Sequence, residues 1–454
     1  MINDKATTFA IIGKPNNGKS SIISTLTFDD RIAVADEIGT TKFKSKYTYK
    51  YNGKDICHFY DTPGFENAEK IYDNLENNPI DISIKKKLEK YLQDVKKEKS
   101  ITSKSIEIIE AVLDCDFVVF VINISKDFNI NEIGYELEIL KKLSQDVIVL
   151  FNQIDKNNYK ENWKKILLDE YDIKNTYTID PLNSQYENII KIFTSIYSKN
   201  SEKYESNQLD KVLITYRNHY KENMNETIKL ISEYLKDTLA IKIDTTREKI
   251  KSKEAEYQMV DEINKKEKNV QKEINKIWGY HQVKVIDKRE KYNTPINTKL
   301  KLTKKEKALI SATIGAISTG TATGLLSGGL AAPAGALIGG TVGAAAGYLS
   351  DGKLYDYNIL KKDAVISIDK KDMDLSMILL QRILYYTKVI INHGHANRTA
   401  IEIEKIEKVE LSNYKKDIFK IHKSFVCDEN THEYLEKLNE LLKDKVKEYI
   451  KYDF

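Results

Sequence analysis

The chain has few cysteines and almost no excess of charge of either sign, and each shortage excludes a class of protein. Its three cysteines, Cys57, Cys115 and Cys427, lie far apart among 454 residues. An odd, sparse set forms neither a disulfide framework nor a metal-binding spacing, and it is typical of a reducing compartment. The net charge of only +4 is too small for bulk nucleic-acid binding, so no nucleic-acid partner is expected.

The amino terminus also lacks the pattern of a secretory signal. Residues 1–5 read MINDK, without the apolar stretch that such a signal needs, and we therefore expect a cytoplasmic protein. Hydrophobic residues make up 41% of the 454 positions, so the chain can bury a sizeable core. A chain of this length is expected to form two or three domains.

The most informative segment is residues 13–20, GKPNNGKS, which has the form G-x-x-x-x-G-K-S. It follows the apolar run Phe9–Ile12, suited to a buried strand, and precedes a stretch suited to a helix. Such a loop directs backbone N–H groups and a helix N-terminus at a polyphosphate. Lys19 would reach the β- and γ-phosphates, and Ser20 would hold Mg²⁺. The predicted phosphate-binding residues are Gly13, Asn16, Asn17, Gly18, Lys19, Ser20 and Ser21.

Two more motifs supply the remaining phosphate and metal contacts. Asp61 begins the sequence DTPG at the end of an apolar-aromatic run, where its carboxylate can hold the Mg²⁺ shell through water. Gly64 closes that motif and can offer its backbone N–H to a γ-phosphate. Thr41, favoured over Thr40, is expected to close on Mg²⁺ when the γ-phosphate is present. Lys19, Thr41 and Gly64 are therefore the predicted catalytic residues.

A fourth motif predicts the base that is bound. Asn152 and Asp155 belong to the sequence NQID, which follows the apolar run Val147–Phe151. A carboxylate at Asp155 can accept hydrogen bonds from the exocyclic amine and ring N–H of guanine, a donor pair that adenine lacks. The expected ligands are therefore GTP and GDP, with Mg²⁺.

Together these motifs resemble the G domain of translation-factor-type GTPases of the TrmE–Era branch, over residues 8–199. In potassium-activated members the first loop asparagine helps bind K⁺, a role that would fall on Asn16. Phe65 stands where Ras-like proteins carry a water-orienting glutamine, so catalytic help would come from K⁺, a partner, a second G domain in a homodimer, or a nearby acid such as Glu66 or Glu69. Gln153 replaces the usual lysine of the guanine motif, which leaves the strictness of guanine specificity open.

The order of apolar runs predicts the fold. Short runs alternate with helical stretches, which indicates an α/β, doubly wound, mostly parallel sheet in a G domain at residues 1–200. Residues 66–113 are read as a helical insertion that either reports the nucleotide state or packs on the sheet. Residues 201–307 and 351–454 have helical periodicity and form the rest of a mainly α-helical C-terminal region. The predicted strands are Phe9–Ile12, Ser45–Tyr51, Ile56–Asp61, Phe117–Ile124, Asp146–Asn152 and Asn175–Ile179.

Residues 308–350 form a second distinctive segment, with no charged residue and ten of the 19 glycines. Glycines recur every four positions, which lines them along one helix face and permits close packing as a glycine zipper. Pro333 divides the segment into two halves, so we expect a hairpin. It could span a membrane permanently, insert conditionally at the inner face of the cell membrane, bind a membrane protein, or stay buried in the C-terminal region.

The combination resembles a bacterial GTPase family that joins a TrmE–Era-like G domain to a helical half with a glycine-rich stretch. The similarity includes YELEIL at 135–140 and GHA at 394–396. Three functions follow as hypotheses: a GTP-hydrolysing switch acting at a membrane, as a dynamin-like remodeller or membrane-acting effector; a ribosome- or RNA-associated Era-like GTPase; and a nucleotide-binding scaffold with negligible turnover. His393 and His395 are interpreted as structural histidines rather than metal ligands.

Overall fold

The structure is a computed structural model, and it describes most of the chain outside the glycine-rich segment. The described residues are 5–32, 45–64, 68–77, 83–98, 103–143, 147–152, 157–183, 186–200, 207–246, 249–250, 253–289, 298–300, 363–404 and 410–449. The predicted hairpin at 308–350 and the residues Thr40, Thr41, Gln153 and Asp155 lie outside them.

The amino-terminal part is built on a six-stranded sheet with the order β2-β3-β1-β4-β5-β6. Every neighbouring pair is parallel except β2 and β3, which are antiparallel. The predicted mostly parallel sheet is therefore confirmed. The strands are β1 (Thr7–Ile12), β2 (Ser45–Tyr51), β3 (Lys54–Asp61), β4 (Phe117–Asn123), β5 (Val147–Asn152) and β6 (Thr176–Ile179).

Helices cover both faces of this sheet, as in a doubly wound fold. Successive residues of β1 point to opposite faces: Ala10 and Ile12 join a buried cluster with helices α2, α4 and α5, whereas Phe9 packs edge-on against Phe193 of α7. The helices are α1 (Lys19–Thr27), α2 (Ala68–Asn77), α3 (Ile84–Glu98), α4 (Ser103–Asp114), α5 (Ile130–Leu143), α6 (Lys160–Asp169) and α7 (Tyr186–Asn200).

Two local features follow directly from the sequence. Asn52 and Gly53 both have positive φ, 50° and 74°, as a tight turn between antiparallel strands requires, and they join β2 to β3. Helices α2, α3 and α4 occupy the predicted insertion. Their apolar residues, such as Ile71, Leu88 and Ile108, are buried in the cluster on one face of the sheet.

The C-terminal part is mainly helical, as predicted, but it also contains short strands that the sequence did not predict. β7, β10 and β9 form one small antiparallel sheet, and β8 pairs with β11. The helices are α8 (Asn207–Leu239), α9 (Glu254–Ile277), α10 (Met373–Ile391), α11 (Lys415–Cys427) and α12 (Thr431–Tyr449), and the strands are β7 (Lys242–Thr246), β8 (Val285–Asp287), β9 (Thr298–Leu300), β10 (Asp363–Ile368) and β11 (Ile401–Ile403).

The chain divides into two compact units. The first comprises Met1–Asn223 together with Trp278–Lys284 and Ile391–Ile401, and the second comprises the remainder. The domain bounds drawn from the sequence stay predictions. Within the described residues, no helix combines the length and apolar character needed to cross a bilayer.

The second unit contains a buried ionic network. Both Glu267 carboxylate oxygens lie within hydrogen-bonding distance of Arg382 Nε, at 3.1 and 2.9 Å, and Arg289 Nη2 is 3.3 Å from Oε1. Arg289 also donates to Asp287 Oδ1 at 2.7 Å and to the Arg382 carbonyl at 2.8 Å. Two cations and two carboxylates therefore compensate each other inside the helical packing.

Candidate nucleotide-binding site

The loop between β1 and α1 adopts the conformation that its glycines permit. Gly13 has φ 140°, Gly18 has φ 85° and Asn16 has φ 64°. A side chain at Gly13 would place its Cβ 2.5 Å from the Val121 carbonyl oxygen, and one at Gly18 would collide with the Asn152 amide. Only glycine fits these two positions, so the loop wraps closely and its backbone N–H groups remain available for an anion.

Lys19 begins α1 and lies almost buried within this loop. Its ammonium donates to the carbonyl oxygens of Gly13 at 3.0 Å and Lys14 at 3.1 Å. Burial lowers the Lys19 pKa, while the charges of Asp61 and Glu136 oppose that shift. The two carbonyls thus hold a cation at the position where the motif predicts phosphate contact.

The structure brings Ser20 and Asp61 together at the carboxyl end of the sheet. Ser20 Oγ donates to Asp61 Oδ2 at 2.5 Å, and Asp61 is 1% exposed. A hydroxyl and a carboxylate oxygen are hard donors of the kind that Mg²⁺ prefers, so the residues present fit this ion. Thr62 Oγ1 donates to the Ile11 carbonyl at 2.9 Å, which fixes the DTPG turn to β1.

Two asparagines tie the loop to the neighbouring strands. Asn17 Nδ2 donates to the Val121 carbonyl of β4, and Asn152 Nδ2 of β5 donates to the Asn17 carbonyl, both at 2.9 Å. Asn152 therefore supports the loop through main-chain contact. Ser21 lies in the first turn of α1, where its carbonyl accepts from Thr25 Oγ1 at 3.1 Å.

The remaining predicted residues are placed only in part. Gly64 lies against the loop, since a Cβ there would collide with the Pro15 ring. Thr41 and Asp155 lie outside the described residues, as do Phe65 and Glu66, so their predicted roles stay predictions. Glu69 lies in α2 and accepts from the Tyr135 hydroxyl at 3.2 Å.

A buried acid from the segment YELEIL, for which the sequence predicted no role at the site, lies beside the loop. Glu136 of α5 is 1% exposed, and its Oε1 lies 2.6 Å from the Lys14 ammonium. Within the part of the chain that the structure describes, neither carboxylate oxygen meets hydrogen-bonding geometry, so the contact of Oε1 with Lys14 is an ion pair and Oε2 has no hydrogen-bond partner. Burial raises the Glu136 pKa to about 7, against the opposing effects of Lys14 and Lys19.

Segments that follow α9 and α10 hold the far end of α1. Asp30, which is fully buried, accepts backbone N–H bonds from His281, Gln282 and Val283 at 2.7 to 3.0 Å. Gly279 has φ 76°, and a Cβ there would collide with the Phe28 carbonyl. This segment therefore lies directly against the residues that end α1.

The second segment contributes Arg398 and His395. Arg398 donates to the Ile32 carbonyl at 2.5 Å and to Ser24 Oγ at 3.2 Å. His395 Nε2 donates to the Trp278 carbonyl at 2.7 Å, and burial lowers the His395 pKa to about 4. The contact with Trp278 gives His395 a packing role, and the bond from Arg398 holds the Ile32 carbonyl.

The first half of α8 holds the other side of the same region. The Tyr216 hydroxyl donates to the Leu26 carbonyl at 2.5 Å, and its ring stacks on Tyr49 of β2 at 4.4 Å. The Tyr49 hydroxyl lies 2.6 Å from His219 Nδ1. Ile32, before positions 33–44, and Tyr49, after them, are thus both in contact with residues beyond position 207.

Some of these residues left a signal in the sequence and others did not. Glu136 takes the i+3 place in the apolar series Ile133, Leu137 and Leu140 of α5, which are all buried. An acid on an apolar stripe is a detectable anomaly. Asp30 and Arg398 have no comparable local mark, because their partners lie more than 250 positions away.

Comparisons with known proteins match two family models to successive parts of the chain. Residues 8–153 match the family model described as 50S ribosome-binding GTPase, and residues 168–448 match the family described as domain of unknown function DUF3482. GTPase Der of Listeria innocua is 38% identical over 77 residues, which is 17% of each chain. GTPase Der of Lachnospira eligens is 48% identical over 71 residues, or 16% of each chain. The chain thus spans about a sixth of the length of these curated relatives.

Among solved structures, Era from Aquifex aeolicus bound to GDP and AlF4⁻ is 20% identical, with a TM-score of 0.27. The match covers 39% of this chain and 51% of that one.

Proposed function

This chain belongs to the DUF3482 family and carries an amino-terminal P-loop GTPase domain, and we propose that it is a GTP-hydrolysing switch coupled to its helical C-terminal half. The single observation that supports hydrolysis best is the convergence of Lys19, Ser20 and Asp61 at one edge of the sheet. A cation, a hydroxyl and a carboxylate meet there beside a loop of backbone N–H groups, which is the equipment that phosphoryl transfer requires.

Each residue has a distinct role in this proposal. Lys19 contacts the β- and γ-phosphates, and the Gly64 N–H binds a γ-phosphate oxygen. Ser20 and Asp61, with Thr41, would hold Mg²⁺, which when bound offsets charge on the phosphates. Asp155 would select guanine. Asn16 would contribute to a K⁺ site, and K⁺ or a second G domain in a homodimer would supply the help that Phe65 cannot give.

The first experiment measures GTP turnover by the full chain and by Lys19→Ala, in K⁺ and in Na⁺ buffers containing Mg²⁺. We expect turnover that depends on Lys19 and is faster in K⁺, because the K⁺ site through Asn16 would be filled. Equal background rates in all four conditions would remove the enzymatic part of the proposal. Calorimetry with GDP separates this outcome from a nucleotide-binding scaffold, which would bind GDP without turnover.

The coupling proposal is supported by the contacts at the end of α1. Arg398 and the N–H groups of residues 281–283 hold Ile32 and Asp30, and residues 33–44 begin directly after Ile32. These residues include Thr41, which is predicted to close on Mg²⁺ when the γ-phosphate is present. Movement of Thr41 would therefore be transmitted through Ile32 and Asp30 to the segments that follow α9 and α10.

Arg398→Met should speed release of a fluorescent GDP, because Ile32 would lose the hydrogen bond that Arg398 donates to its carbonyl. Arg217→Met is the matched control, since Arg217 of α8 donates to Thr194 Oγ1 of α7 at 3.3 Å. Unchanged release in Arg398→Met would contradict the coupling.

The membrane part of the proposal is supported by the sequence of residues 308–350. Flotation of the full chain with vesicles of anionic lipid, in GTP, in GDP and without nucleotide, tests it. Association that depends on nucleotide would support conditional insertion. Failure to float in any state would leave the hairpin as a soluble element of the C-terminal region.

A ribosomal function is the alternative, because residues 8–153 match a family described as 50S ribosome-binding GTPase. Filter binding of labelled ribosomal RNA over a range of salt concentrations distinguishes the two functions. Tight, salt-dependent binding would favour the ribosomal function, since neutralised phosphates release counterions. The small net charge of +4 leads us to expect weak binding.

A further inference from the structure

The Lys14–Glu136 pair joins the phosphate loop to the interior of the domain. Lys14 is the second residue of the loop, a position where the motif G-x-x-x-x-G-K-S places no requirement. Its ammonium nevertheless lies 2.6 Å from Glu136 Oε1. Glu136 is almost fully buried, whereas the Lys14 side chain is 34% exposed.

The backbone of Lys14 organises the same loop. Its carbonyl accepts from Lys19 Nζ at 3.1 Å and from the Asn17 N–H at 3.3 Å. Rotation of this peptide would therefore move two hydrogen bonds at once, including one to the cation predicted to contact phosphate. The ion pair between the Lys14 side chain and Glu136 would restrain this rotation.

We propose that Glu136 is a positioning residue for nucleotide turnover, which anchors Lys14 from below and so fixes the carbonyls that orient the Lys19 ammonium. The inference rests on the proposed GTPase function and adds a residue that no phosphate-binding motif contains. A buried carboxylate with one cationic partner is costly to maintain. An apolar residue at position 136 would continue the stripe formed by Ile133, Leu137 and Leu140, so packing alone gives no reason for an acid there.

Anchoring of Lys14 should require both the length and the charge of the Glu136 side chain. Glu136→Gln keeps the length and removes the charge, and Glu136→Asp keeps the charge but withdraws it by one methylene. Lys14→Met removes the cation from the other side, and Lys14→Arg restores it. Glu138→Gln is the matched control, because it removes a charge from the same helix without a described contact to the loop.

The experiment measures GDP affinity, KM and kcat for GTP on the full chain, with unfolding midpoints to confirm that each variant is folded. We expect kcat to fall roughly tenfold in Glu136→Gln, Glu136→Asp and Lys14→Met, since ångström-scale misplacement of a catalytic group costs up to about a hundredfold. Lys14→Arg should recover most of the rate, and Glu138→Gln should match the wild type. The double variant Lys14→Met/Glu136→Gln should be no slower than the slower single one, as expected of residues acting as a unit.

Three results would overturn the inference. Wild-type kcat in Glu136→Gln and Lys14→Met would show that the ion pair does not contribute to turnover. Wild-type kcat in Glu136→Asp would show that charge, not anchoring, matters. Multiplicative losses in the double variant would show two independent roles. If the wild-type chain itself neither binds GDP nor turns over GTP, the GTPase proposal fails first, and that outcome is recognised before any variant is compared.

Discussion

Two buried carboxylates on helices, Glu136 in the first unit and Glu267 in the second, differ in the number of partners that compensate their charge. They are 1% and 2% exposed. Glu267 is contacted by two arginines and by Gln271, whereas Glu136 has one lysine and an Oε2 without a hydrogen-bond partner among the described residues. A buried carboxylate whose oxygens all have partners stabilises one packing arrangement. A buried carboxylate oxygen without a hydrogen-bond partner costs free energy, and ionisable groups perturbed in this way cluster at functional sites.

The largest effect should come from breaking the saturated network. Glu267→Gln leaves Arg382 without its anion inside the helical packing, so we expect a loss of about 3–5 kcal/mol in the free energy of unfolding. Urea titration of the full chain, followed by circular dichroism, measures this loss of stability. The GDP affinity of the folded fraction should be unchanged. The double variant Glu267→Met/Arg382→Met should recover much of the loss, and a single variant as stable as wild type would contradict the structural role.

Glu136→Gln should raise the free energy of unfolding relative to the wild type as the pH increases, whereas Glu267→Gln should lower it. The folded-state pKa of Glu136 is raised by burial from 4.5 to about 7, so its contribution to stability is present below pH 4.5 and is lost as the pH rises through 7. That loss amounts to about 3 kcal/mol in the wild type, and the glutamine variant lacks it. The variant should therefore gain stability relative to wild type between pH 5 and pH 8.

Paired melting curves of wild type and variant at each pH are required for this comparison. His395, whose pKa is lowered by burial from 6.5 to about 4, contributes stability that is present above pH 6.5 and lost as the pH falls. Its effect opposes that of Glu136 over the same range but cancels in the difference between the two proteins. A stability difference that stays constant from pH 5 to pH 8 would show that Glu136 does not titrate in the folded chain.

Asp30 provides an intermediate case, a buried carboxylate saturated by backbone N–H groups. Asp30→Asn replaces one acceptor oxygen by an NH₂ group facing those donors, and we expect a loss of about 2 kcal/mol, in the range for hydrogen bonds to charged groups. Thermal unfolding measures this loss. Asp29→Asn is the control, because Asp29 is the neighbouring carboxylate, is only half-buried and pairs with Arg31 rather than with the backbone of residues 281–283. Because Asp30 also holds the end of α1, release of GDP should quicken together with the loss of stability, and stability loss without faster release would separate packing from coupling.

The difference between the two carboxylates also marks the limit of prediction from sequence. The six strands and the turn at Asn52-Gly53 were predictable because each depends on a local run of apolar, aromatic or β-branched residues or on a residue pair that favours positive φ. β7 was not, because it is a short segment of mixed charge that becomes a strand only by pairing with β10, more than a hundred residues later. Its formation depends on a distant partner rather than on its own sequence.

The candidate site divides in the same way. Gly13, Gly18, Lys19, Ser20 and Asp61 follow from spacing alone, since each motif lies at a strand end and the sheet brings those ends together. The bond from Arg398 to the Ile32 carbonyl joins residues 366 positions apart, and neither residue belongs to a recognisable motif. Contacts of this kind depend on the packing of several elements, which a single sequence does not reveal.

The smallest effect is expected where an ion pair has short geometry but no burial. Lys96 of α3 lies 2.6 Å from Glu110 of α4, as close as Lys14 lies to Glu136, but the two side chains are 49% and 34% exposed. Water screens such a pair, so Lys96→Gln should change the free energy of unfolding by no more than about 0.5 kcal/mol and should leave GTP turnover unchanged. Urea titration and steady-state kinetics on the same preparations measure both quantities. A loss comparable to that of Glu267→Gln would mean that distance alone governs these pairs, whereas the expected small change leaves burial as the property that separates Glu136 and Glu267 from the surface.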